Sequence, residues 1–195
     1  MKFALRSAIV ALSLSVGSVA LSGVSAHANG IDEVRFGGTW ANPDAIDNGH
    51  PEADQAGITA EVLFSELNLD TRTDAGDDFI HQLLTPRIHV GGMYNFDDDG
   101  TSYVYAGLTW HHELTDTIFF ESTFGGAIND GSETPTATRA GLGSSVTFRE
   151  SIALGFSVTE STNVIVQLEH LSHANLAGDF NRGLTNASVK VGFKF

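Results

Sequence analysis

NVIVQLEHLSHANLAGDFNRGLTNASVKVGFKF, residues 163–195, reads as two amphipathic strands joined by a loop. Alternate side chains of an extended strand share a face, spaced by about 6.6 Å. Val164, Val166, Leu168, His170 and Ser172 therefore line up together, and Ile165, Gln167, Glu169 and Leu171 point the other way. After the loop, Thr185, Ala187, Val189, Val191, Phe193 and Phe195 form one face, against Asn186, Ser188, Lys190, Gly192 and Lys194 on the other. An apolar side broken only by a His and a Ser near one end points to a nucleophile and base presented to an apolar substrate.

The same period of two runs back along the chain in segments of roughly ten residues, separated by stretches rich in Gly, Asp, Asn, Ser and Thr. The expected strands are 33–41, 57–66, 86–96, 102–113, 117–126, 143–158, 163–172 and 184–195, eight in all. In the third, Ile88, Val90, Gly92, Tyr94 and Phe96 alternate with Arg87, His89, Gly91, Met93 and Asn95. In the fourth, Val104, Ala106, Leu108 and Trp110 alternate with Tyr105, Gly107, Thr109 and His111. No segment carries a convincing helical period.

Two architectures produce this pattern: a soluble sandwich or lipocalin-like barrel with its apolar face inward, and an outer-membrane barrel with that face in lipid. Three features favour an all-β, eight-stranded antiparallel transmembrane outer-membrane β-barrel. The chain starts with a signal sequence, the strand count is even with alternating short and long connections, and the last strand ends on Phe195 with Phe193 two residues earlier. The longer connections 42–56 and 127–142 are expected outside, and the shorter ones 114–116 and 159–162 in the periplasm. The stretch 67–85 is long for a periplasmic turn, and a short helix or an extra strand segment is what it could hold.

Residues 1–28 combine a basic start (Lys2, Arg6), an apolar run from Ala8 to about Leu21 and the small-residue site Ala26-His27-Ala28. That is the form of a secretory signal peptide cleaved before Asn29. The apolar run contains Ser and Gly and falls short of the ~20 strongly apolar residues of a membrane helix. Removing 28 of the 195 residues leaves 167, a single domain spanning 29–195. Two of the ten basic residues leave with the signal, so eight face 24 acidic ones, a net charge of −16 that argues against nucleic acid. With no cysteine, the chain neither needs nor excludes an oxidising compartment.

With both chain ends periplasmic, the seventh strand runs outward and carries His170 and Ser172 to the outer-leaflet end. A nucleophile there meets the glycolipid of that leaflet. At this point the residues resemble a known family. The run His170-Leu171-Ser172-His173-Ala174-Asn175-Leu176, then Asn181-Arg182-Gly183-Leu184 and the closing Val191-Gly192-Phe193-Lys194-Phe195, is similar to the PagL-like lipid A 3-O-deacylases, a family of acyloxyacyl hydrolases. Weaker similarity extends through FRESIALGF (148–156), FFESTFGGAIND (119–130) and residues 85–110.

The resemblance implies a bacterial outer-membrane barrel without cofactor or metal that hydrolyses the 3-O-linked acyl chain of lipid A in lipopolysaccharide. Carried over residue by residue, Ser172 matches the nucleophile and His170 the base of a serine esterase. Thr185 stands where the family has the Glu that orients the His, and His173 stands where it has an Asn beside the nucleophile. The backbone N–H of His173 remains an oxyanion-hole candidate, and Asp179 in the loop is the candidate replacement acid; Glu169 points to the opposite face. The Thr keeps open a second function, a catalytically weakened or inactive member serving as a structural or binding barrel. A third is an unrelated barrel acting as adhesin or surface protein. Self-association as a homodimer is also left open.

Other conspicuous residues have plainer explanations. His170 and Ser172 outside the family context are two polar residues at a membrane–water boundary. His111 and His112 are adjacent in a strand and so face opposite sides, which defeats joint ligation of a metal. Asp97-Asp98-Asp99-Gly100 lacks the spaced ligands and distal Glu of a calcium loop and reads as a solvated hairpin tip. Glu121, Arg149 and Arg87 fall on or near inward faces, where a small barrel fills its lumen with hydrogen-bonded charges.

Overall fold

The computed structural model describes residues 30–47, 49–72 and 79–195, so the signal sequence expected over 1–28 lies outside the described residues. Eight strands run in chain order: β1 (Ile31–Ala41), β2 (Gln55–Glu66), β3 (Arg87–Asn95), β4 (Tyr103–Glu113), β5 (Ile118–Asn129), β6 (Val146–Thr159), β7 (Thr162–Ser172) and β8 (Leu184–Lys194). Each pairs antiparallel with the next, and β8 closes on β1 with Val34 opposite Phe193 and Trp40 opposite Ala187. Closure leaves no strand edge to pair with another chain.

The period-two reading assigns the faces correctly. In β6 the burial alternates without a break from Val146 to Phe156, with Thr147, Arg149, Ser151 and Ala153 inside and Phe148, Ile152, Leu154 and Phe156 outside. On β7 and β8 the exposed face carries Val166, Leu168, Val189, Val191 and Phe193. An outward apolar belt around a polar interior is the inverse of a soluble barrel, and it is what a hydrocarbon surround requires.

The interior is held by charges. Arg35 donates to Glu33 at 2.7 Å and to both oxygens of Glu121 at 2.7 and 2.9 Å, and Arg87 reaches the same Glu121 at 2.6 Å. As deeply buried as the core leucines, Arg149 pairs with Glu169 at 2.5 Å and lies over the Tyr105 ring at 3.7 Å. Tyr103 also donates to Glu169, and Lys190 donates to Gln167 at 3.0 Å. These contacts give Glu121, Arg149 and Arg87 the structural role their inward positions suggest. Removing one partner strands buried charges without their counterions, so Arg35→Ala is expected to destabilise the barrel by about 3–5 kcal/mol. Urea unfolding followed by gel migration of the folded band checks this; an unchanged midpoint contradicts it.

Strand ends depart from expectation where backbone geometry intervenes. β6 begins at Val146 rather than 143, because Gly143 adopts φ +72°, which a strand cannot continue through. β5 instead runs on to Asn129, with Ala127 and Ile128 pairing with Thr147 and Val146. The last strand stops at Lys194, one residue before Phe195. In the stretch after β2 the ladder extends by Leu67 N–H to Pro86 O at 2.8 Å and Leu69 N–H to Leu84 O at 2.9 Å, and a short helix α1 (Phe79–Leu84) leads into β3. Asp97, Asp98 and Asp99 are exposed in the hairpin tip between β3 and β4, and Gly100 after them is buried.

Candidate active site

β7 delivers His170 and Ser172 to its end beside the loop 173–183, both on the outward face and both partly exposed. β8 delivers Thr185 to the same level, since His170 is paired in register with it. The His170 Nδ1 and the Thr185 Oγ1 are 2.9 Å apart. A threonine hydroxyl can accept the Nδ1–H proton, which leaves Nε2 as the basic nitrogen. The Ser172 hydroxyl has no hydrogen-bond partner among the described residues.

Gly183 forms the wall on the other side of the imidazole. Its φ of +71° is the left-handed region, and a Cβ built there would fall 2.7 Å from His170 Cε1 and 3.0 Å from Nε2. Only glycine satisfies both conditions without moving the ring. The loop after β1 holds this glycine from beneath: the His50 ring bonds Gly183 O through Nε2 at 3.1 Å while its Nδ1 accepts the Glu52 N–H at 3.0 Å. Those two contacts fix the Nε2–H form of His50. Asn42 completes the grip by accepting Thr185 N–H at 2.9 Å and donating its own N–H to Thr185 O at 2.7 Å.

Glu52 ties the remaining loops to this support. Its buried carboxylate accepts the Thr101 hydroxyl at 2.7 Å and the Ala140 N–H at 3.0 Å, and burial pushes its pKa up. Burial likewise holds the His50 pKa below its ordinary value. The unfolded chain therefore takes up this proton first: the neutral ring's contribution is complete above about 6.5 and is lost as pH falls toward the depressed folded value. Protonation also removes the acceptor for Glu52 N–H. The Glu52 amide resonance is accordingly expected to move with pH at a midpoint below that of a free histidine, and a midpoint above it would contradict the assignment.

His173 is built into the loop. Its ring turns into the loop, with Nδ1 accepting Ala177 N–H at 3.0 Å and Nε2 donating to Phe180 O at 2.7 Å. Its backbone N–H is engaged by Asn181 Oδ1 at 3.1 Å. Asp179 is exposed in the same loop, and no described residue bonds or pairs with it. Of the residues singled out in the sequence, the structure thus bonds His170 to Thr185, keeps Ser172 on the same face of β7, and uses His173 to shape the loop. Asn42, His50 and Gly183 were not signalled by periodicity, because their contacts span more than a hundred residues.

His111 points inward to Glu121 at 3.0 Å while His112 lies over Phe120 outside, so the two do not converge. Among the described residues no cluster of His, Asp and Glu could hold a metal ion. A polar cavity of about 360 Å³ opens at the chain-terminus end, lined by Glu33, Arg87, His111, Asp116 and Asn163. It lies at the opposite end of the barrel from Ser172, and its charged walls do not suit an acyl chain.

Fold and belt together define an outer-membrane β-barrel. The family model for lipid A 3-O-deacylase (PagL) matches residues 88–194, more than half of the chain, and the chain belongs to that family. The crystal structure of the outer membrane enzyme PagL superposes with a TM-score of 0.52 at 20% identity, covering 85% of this chain and 99% of that one. The N-terminal β-barrel domain of Pseudomonas aeruginosa OprF gives a TM-score of 0.51 at 10% identity, covering 84% and 98%. A structure described as de novo design of transmembrane beta-barrels gives 0.51 at 8%, covering 85% and 96%. At these identities the superpositions speak for the fold. No curated protein matches the sequence. The protein is located in the outer membrane, and its family's activity is hydrolysis of lipid A.

Proposed function

We propose that this protein hydrolyses the 3-O-linked acyl ester of lipid A in the outer leaflet, with Ser172 as nucleophile and His170 as general base. The observation that carries the reading is the Nδ1 to Thr185 Oγ1 bond, which orients the imidazole and leaves Nε2, beside Gly183, as the basic nitrogen, with the unpartnered Ser172 two residues on along the same face. Ser172 Oγ attacks the acyl carbonyl as Nε2 takes its proton; the ester C–O bond then breaks and the proton passes to the departing 3-oxygen of the sugar. Water repeats the sequence on the acyl-serine, releasing a fatty acid. The apolar surface below the pair, Val166, Leu168 and Val189, is a track along which an acyl chain embedded in the leaflet reaches the serine. His170, Ser172 and Thr185 come from one chain, so the reading requires no second copy.

A weakened or inactive barrel is the second reading, favoured by the neutral Thr185 at the place of the family's acid. Lipid A mass spectrometry on cells with and without the protein separates them: loss of one 3-O-linked acyl chain supports the esterase, and identical lipid A supports the structural barrel.

A further inference from the structure

The outward face of β6 is apolar at Val146, Phe148, Ile152, Leu154 and Phe156, all exposed, and is interrupted by one charge, Glu150. Glu150 is not past the edge of the apolar belt, because Phe148 and Val146 lie on its loop side. The strand register places it opposite His170 on β7 and Phe124 on β5. Directly opposed residues of an antiparallel pair have Cβ atoms about 4.5–5.5 Å apart. Glu150, His170 and Thr185 therefore form one lateral row across three strands, with the imidazole in the middle.

We infer that Glu150 is a positioning residue for His170, dividing with Thr185 the work that a single acid does in a serine-esterase triad. Thr185 fixes the ring and its tautomer; Glu150 supplies the negative charge that stabilises the imidazolium formed when Ser172 gives up its proton. A carboxylate facing hydrocarbon is unfavourable without a partner. His170 becomes the cation of its row once it takes the Ser172 proton. The other groups around the ring do not compete: β8 presents the uncharged Thr185, the loop presents the Gly183 backbone, and Arg182 is paired with Asp47 at 2.5 Å. Neither Asp179 nor Glu150 makes a hydrogen bond or ion pair with another described residue, but Asp179 lies in the exposed loop outside the row, whereas Glu150 is held opposite His170 by strand register. The inference rests on the proposed roles of Ser172 and His170, and it places the missing charge on β6 instead of β8.

The test uses the full-length protein folded in detergent, with lipopolysaccharide as substrate and a fluorophosphonate as a separate probe of Ser172. Glu150→Gln keeps shape and removes charge, and it is expected to lower kcat on the order of 10- to 100-fold, as loss of a nearby opposite charge in a low-dielectric setting implies, with KM unchanged. Glu150→Asp is expected to retain most of the activity, and Thr185→Glu to restore the Glu150→Gln protein, while all variants keep the heat-modifiable migration of a folded barrel. Wild-type kcat in Glu150→Gln, a loss confined to KM, or no advantage of Asp over Gln overturns the role. If the wild type releases no acyl chain, the proposed function fails, and fluorophosphonate labelling decides the Glu150 role by itself. Slower labelling of Ser172 in Glu150→Gln supports it; equal labelling, or none in the wild type, overturns it.

Discussion

Ser172→Ala is expected to reduce release of the 3-O-linked acyl chain by on the order of 10⁴- to 10⁶-fold, with His170→Ala close behind, since members of such a unit fail together and not additively. The barrel should be indifferent to both changes. Ser172 makes no hydrogen bond among the described residues and sits on the outward face, where removing a hydroxyl leaves neither a cavity nor an unpaired buried group. His170 loses the contact with Thr185, its packing against Gly183 and its place opposite Glu150, all at a partly exposed position near the strand end. Mass spectrometry of lipid A after incubation with each detergent-folded variant measures the effect, and gel migration with and without heating verifies the fold. Full activity of the Ser172→Ala protein would remove it as nucleophile. Loss of heat-modifiability would instead show that the row of polar residues holds β7 and β8 in register.

The barrel was legible because each strand writes its two faces directly into the sequence. Arg87 with His89, and Gln167 with Glu169, are spaced by two and turned to the lumen as the alternation requires. Strand ends were less legible, because they depend on single backbone conformations such as that of Gly143, which composition does not reveal. The site was half legible. His170 and Ser172 share a face by parity alone, and Thr185 was found from the family pattern. The place of Glu150 is not legible in its stretch, because parity says which face a residue occupies and register says whom it meets there. Register between β6 and β7 is set by the tight turn after Thr159 and by burial all along both strands, so it belongs to the assembled barrel. The support from His50 through Gly183 joins residues 133 positions apart, and only closure of the loops over the barrel brings them into contact.

The second large effect is expected at Thr185, where two substitutions pull in opposite directions. Thr185→Val keeps the branched shape and removes the oxygen that accepts the His170 Nδ1–H, so the ring can take either tautomer or rotate away from Ser172. In serine hydrolases the wrong tautomer costs on the order of 10⁴-fold, and a loss of 10²- to 10⁴-fold is expected here. Thr185→Glu restores an anionic acceptor at the level of His170 and should raise the rate without altering the product. The gain should be modest, on the order of 10-fold, because the hydroxyl already fixes the tautomer and Glu150 already supplies a charge beside the ring, so the new carboxylate adds only a directly bonded one. Steady-state kinetics on lipopolysaccharide with product identification distinguishes the two contributions. Wild-type activity in Thr185→Val would mean that the bond to Oγ1 does not orient the base. A Thr185→Glu protein no faster than the wild type would mean that a directly bonded carboxylate adds nothing to the Thr185 hydroxyl and the Glu150 charge acting together.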